Sequence, residues 1–97
     1  MEARRKQILQ WLKSILDKHL GNTYRAFVFG SQANFSNLKH ADIDLGILSD
    51  MPITSIQLMQ INDAIEELPM LYNIDIIDFN LVDAKFRSIA LQNIEWI

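Results

Sequence analysis

An α/β domain, a β-sheet with helices packed on it, is the fold class this sequence predicts. Three observations lead there. Runs of β-forming residues recur at 24–29, 42–48 and 73–79. Segments with helical apolar spacing separate and flank them. The length, 97 residues, is that of a single domain, taken as 1–97.

The elements follow in order. Residues 2–20 predict an amphipathic helix, because Ile8, Leu12, Ile15, Leu16 and Leu20 fall on one stripe. Gly21 and Asn22 are its stop signal. His19 in its last turn reads as a surface or capping histidine. Tyr24 to Phe29 form the first expected strand, broken by Gly30 and Ser31. Residues 32–41 are polar apart from Ala33, Phe35, Leu38 and Ala41, which predicts a short helix and then a loop. Asp42 to Leu48 read as the second strand, ended by Ser49, Asp50 and Pro52.

A second long helix is expected over 54–68. Thr54 and Gln57 form a capping box, Leu58, Ile61, Ile65 and Leu68 the apolar stripe, and Pro69 the stop. Asn73 to Phe79 read as the third strand. Asn80 and Asp83 are turn or N-cap candidates before a last helix at about 84–93, with Phe86, Ile89 and Ala90 inward. The end, Ile94-Glu95-Trp96-Ile97, is apolar, which leaves open a further strand, an interface strip or the edge of a longer chain.

Composition excludes several functions. The net charge is −3 and the pI about 5.2, which argues against nucleic acid as the primary partner. The basic cluster Arg4, Arg5 and Lys6 reads as a solvated helix end. With no cysteine, disulfides, thiolate metal sites and thiol catalysis are ruled out. No apolar run approaches the ~18 residues of a membrane span, and the polar first helix is not a signal peptide, so the expected location is the cytoplasm. Apolar residues make up 49% of the chain, enough for a thin core and for an apolar patch to spare, which a homo-oligomer or a protein partner could cover.

Three features combine into chemistry. The first is Phe29-Gly30-Ser31 at a strand-to-helix turn; the second is Asp42-Ile43-Asp44 opening the next strand; the third is Asp75 in the third strand. Residues two apart in a strand share a face, so Asp42 and Asp44 lie side by side while Ile43 and Leu45 face the core. Two carboxylates a few ångströms apart repel by about 4 kcal/mol at an effective dielectric near 20. A divalent cation removes that repulsion, and Mg²⁺ suits one or two carboxylates plus substrate phosphates. Gly30 permits a sharp turn and close approach of a ligand. A helix starting at Ser31 aims free N–H groups at an anion, with the Ser31 hydroxyl as one more donor. An acid inside the apolar run around Asp75 calls for a partner or a metal. Asp78 has the opposite parity and reads as a strand-end or loop contact. Taken singly, each piece has a plain alternative: acids ending a strand in solvent, or Ser31 as an ordinary N-cap.

Together the pieces resemble the DNA polymerase β-type nucleotidyltransferase superfamily. Its signature is an apolar residue, Gly and Ser, a gap of about ten residues, then Asp-apolar-Asp-apolar. Phe29-Gly30-Ser31 and Asp42-Ile43-Asp44-Leu45 match it, with ten residues between Ser31 and Asp42, and Asp75 matches the third-carboxylate strand. Length and layout resemble the minimal nucleotidyltransferase (MNT) branch, small subunits that pair with HEPN proteins as prokaryotic antitoxins. Gln32 stands where that branch often carries Arg, Phe35 where it often carries Gly, and Ala41 where it often carries Ser or Thr.

The resemblance implies a small nucleotidyltransferase fold with a mixed three- to four-stranded sheet flanked by helices. It implies Mg²⁺ held by Asp42, Asp44 and Asp75 as the catalytic acids, and Gly30 and Ser31 against the phosphates of a nucleoside triphosphate, ATP being the expected one. The implied reaction moves a nucleoside monophosphate onto an acceptor hydroxyl, with a HEPN-type toxin as the implied partner. Two other readings stay open from sequence: a binding module that neutralises such a partner by contact alone, and an unrelated α/β domain with a coincidental Asp-x-Asp.

Overall fold

The computed structural model describes residues 2–29, 42–69 and 73–97; the side chains of residues 2–4 and of Asp42 are also outside the description. The helix and loop expected within 32–41 therefore lie outside the described residues. The elements run α1 (Glu2–Leu20), β1 (Tyr24–Phe29), β2 (Asp42–Ser49), α2 (Ser55–Glu66), β3 (Asn73–Asp78), α3 (Ala84–Ala90) and β4 (Glu95–Trp96). The strands form one mixed sheet of four in the order β3-β2-β1-β4. The pairs β1–β2 and β1–β4 are antiparallel, and β2–β3 is parallel through the α2 crossover. The α/β class with a mixed sheet and flanking helices holds. The apolar chain end supplies the fourth strand, and Ile97 N–H continues it by donating to Ala26 O at 3.0 Å.

Strand alternation sorts the core into two layers. On one face Ala26, Val28, Ile43, Leu45 and Ile47 meet Ile8, Leu9, Leu12 and Leu16 of α1 and Ile61 and Ile65 of α2. On the other, Phe27, Phe29 and Phe79 pack with Ala90 and Leu91, at the end of α3, and with Ile94. Gly46, paired with Phe27, is where β2 passes under these rings. A Cβ there would lie 2.5 Å from Phe27 Cζ and 2.8 Å from Phe79 Cδ1, so only glycine fits.

The helix ends follow their sequence signals. Gly21 takes φ +71° after α1, the left-handed conformation a helix stop favours, and its N–H donates to Asp17 O. Thr54 and Gln57 form the reciprocal capping box at 3.0 and 2.9 Å. Gln57 Nε2 also donates to His19 O, joining the start of α2 to the last turn of α1. Asp83 caps α3 by accepting from Phe86 N–H at 2.7 Å.

Two expectations are corrected. Arg5 is not part of a solvated end: it is 4% exposed and donates to Glu95 Oε1 on β4, a pairing of the two ends of the chain. Of the three α3 residues expected inward, Ala90 packs on the aromatic layer, Phe86 touches it while 43% exposed, and Ile89 is 60% exposed. No helix among the described residues is long and apolar enough to cross a membrane.

Candidate active site

The two strands that carry the acids run parallel, and their register decides what the acids can do. Asp44 of β2 is the direct partner of Asp75 of β3, and Asp42 is the partner of Asn73. Partners in a parallel pair project to the same face, and neighbouring strands lie about 4.8 Å apart. Asp44 and Asp75 are therefore level on one face, at the end of the sheet where β1 finishes. The residue across from Asp44 on β1 is Phe29, the last of that strand. Asp78, of opposite parity to Asp75, pairs level with Ile47 and accepts the Asn80 N–H at 2.9 Å as a turn contact.

The local sequence explains why the acids reach this position. Ile43, Leu45 and Ile47 are buried against α1 and α2, which fixes the phase of β2 and turns positions 44 and 46 to the opposite face. Ile74 and Ile76 pack against the same helical layer and fix the phase of β3 in the same way. Asp44 is half-buried and Asp75 exposed. Like charges level on adjacent strands destabilise a sheet. Hard oxygen donors so placed match a divalent cation, and Mg²⁺ takes one or two carboxylates and fills its remaining positions with water and substrate oxygens. Among the described residues no group of three or more acid, histidine or cysteine side chains forms a metal cluster. Two of the three expected acids are described at side-chain level; Asp42 is placed by its backbone one pleat period from Asp44, and Gly30 and Ser31 lie outside the described residues.

Sequence reasoning did not include one feature of this face. The next position after Asp44 on it is Gly46, and above Gly46 lies a stack of four phenylalanines. Ring centroids are 4.8 Å apart for Phe27–Phe79, 5.0 Å for Phe29–Phe79, 5.8 Å for Phe79–Phe86 and 6.3 Å for Phe29–Phe86. The signal was present in the parity of Phe27 and Phe29, which put them on one face, but their placement across from Gly46 and Asp44 depends on the β1–β2 register. A polar cavity of about 390 Å³, lined by Thr23, Arg25, Ser49, Asn80 and Arg87 among others, lies at the opposite end of the strands. Tyr24 pairs with Ser49 there, roughly 17 Å along the strand from the Phe29–Asp44 pair, so it is separate from the acids.

The chain is similar to one protein family and to individual known proteins. The family described as polymerase beta nucleotidyltransferases matches residues 10–97. A Haemophilus influenzae protein described as a probable protein adenylyltransferase, MntA, is 28% identical over 78 residues, covering 80% of this chain and 68% of that protein. A crystal structure from Sulfolobus solfataricus, assigned as a nucleotidyltransferase, aligns over 94% of this chain and 82% of that one with a TM-score of 0.48 and 14% identity.

Proposed function

We infer the reaction from one premise: the chain belongs to the polymerase beta nucleotidyltransferase family. Its similarity to MntA supports the minimal nucleotidyltransferase branch. The general reaction is therefore nucleotidyl transfer. Our reading of its specifics is transfer of AMP from ATP to an acceptor hydroxyl on a protein, with Mg²⁺, the chain serving as antitoxin beside a HEPN-type toxin. The description of the Haemophilus relative as a protein adenylyltransferase supports AMP and a protein acceptor.

The observation that carries the site is the level pairing of Asp44 with Asp75. In this reading Asp42, Asp44 and Asp75 would hold the Mg²⁺ that accompanies the triphosphate, and Asp75 would also orient the acceptor hydroxyl. The bound cations supply charge neutralisation at the reacting phosphate. Gly30 and Ser31 hold the β- and γ-phosphates. The acceptor oxygen bonds to the α-phosphorus as the bond to the β-phosphate oxygen breaks. Pyrophosphate leaves, and the hydroxyl proton passes to carboxylate or solvent. The chain's contribution is positioning and electrostatics, with no covalent intermediate.

The test is transfer of label from α-labelled ATP to a co-expressed HEPN partner. Wild type should label the partner, and Asp44→Asn should lower the rate at least about a hundredfold. A partner neutralised without label by either protein would replace catalysis with contact alone.

A further inference from the structure

We propose that Phe86 is the platform on which the base of the bound nucleoside triphosphate stacks; this rests on the nucleotidyltransferase reading above. The argument starts from how the four phenylalanines divide. Phe27, Phe29 and Phe79 are buried and form the floor of the layer, while Phe86 is 43% exposed. Phe86 is held from beneath: its ring meets Phe29 nearly edge-on, at 85°, and Phe79 at 47°. Two contacts of this kind fix a ring without covering it. An aromatic ring left open to water at a fixed angle is a poor core residue and a good stacking surface.

Its location selects the ligand. Phe29 stands directly across from Asp44, and Asp44 is level with Asp75. Gly46, the next position on the acid face, has no side chain, so the ring layer begins one pleat from the carboxylates. A nucleotide whose phosphates sit at Asp44 and Asp75 has its base left to place. Two exposed aromatic rings lie on the described part of this face: Phe86 meets Phe29, the residue across from Asp44, whereas Trp96 meets Phe27, level with Gly46, and has the Arg25 guanidinium over its ring. Ile89 and Leu81 are also exposed, but neither belongs to the stack. Stacking tolerates any base, since every base has a π-face, so Phe86 contributes affinity for nucleosides as a class rather than for adenine alone.

The experiment is calorimetry of Mg²⁺-ATP and of Mg²⁺ with inorganic triphosphate, on wild type, Phe86→Leu and Phe86→Trp. Leucine keeps an apolar cover over Phe29 and Phe79, and tryptophan enlarges the stacking surface. The proposal expects Phe86→Leu to weaken ATP about five- to a hundredfold with triphosphate unchanged, and Phe86→Trp to retain or tighten ATP. ATP affinity in Phe86→Leu within twofold of wild type overturns the proposal. An equal loss for ATP and triphosphate also overturns it, since that makes Phe86 a support of the acid site. If wild type binds neither ligand, the nucleotidyltransferase reading itself fails.

Discussion

Tyr24 shows how one side chain ties sequence position to a measurable property. Its hydroxyl donates to Asp17 Oδ1 at 2.6 Å, and Lys13 Nζ stands 5.7 Å from its ring and 3.6 Å from Asp17. Burial pushes the phenol pKa up first, and the Asp17 hydrogen bond and charge push it further in the same direction. The folded pKa then exceeds the unfolded value of about 10, so the neutral phenol is favoured by folding. The stability this brings is fully present below about pH 10 and is lost as pH rises toward the folded pKa. Urea melts between pH 8 and 11 should show wild type losing more stability than Tyr24→Phe above pH 10. Parallel curves would mean the Tyr24–Asp17 contact contributes nothing in solution.

At the scale of elements, α1 and β4 depend on each other. Arg5 is buried and pairs with Glu95, on a strand of only two residues. Trp96 adds an edge contact to Phe27 at 5.2 Å and receives the Arg25 guanidinium at 4.2 Å over its ring. Glu95→Gln keeps the shape and removes the charge. It should lower stability by about 1–3 kcal/mol and speed exchange of the Ile97 N–H, which is bonded to Ala26 O. Unchanged protection at Ile97 would show that β4 is held by its ladder and rings alone.

The same elements show what was legible beforehand. The stripe of α1, the Thr54–Gln57 box and the alternation of Ile43, Leu45 and Ile47 are local patterns, so their elements could be read directly. The Arg5–Glu95 pair spans nearly the whole chain, and no local pattern in a basic run announces a partner 90 residues away. α3 has seven residues, too few turns to decide between Ile89 and Ala90 as the inward position. Strand parity separates Asp75 from Asp78, but the shared face and equal level of Asp44 and Asp75 come from the β2–β3 register, which no local spacing encodes.

For the whole molecule, the sheet is the device that gathers distant acids. α1 and α2 cover one face and set the phase of β2 and β3; the other face keeps the carboxylates at one end and the phenylalanine layer beside them. A ligand that binds only this folded arrangement stabilises it by mass action, by about 2.7 kcal/mol at a hundred times its dissociation constant. The most direct measurement of the central claim is binding of Mn²⁺, a spectroscopically visible substitute for Mg²⁺, in the presence of ATP. Wild type should bind the cation in a nucleotide-dependent way, and Asp44→Asn and Asp75→Asn should each weaken it at least about tenfold while both variants stay folded. Equal Mn²⁺ binding by all three proteins would contradict the claim that Asp44 and Asp75 form a cation site.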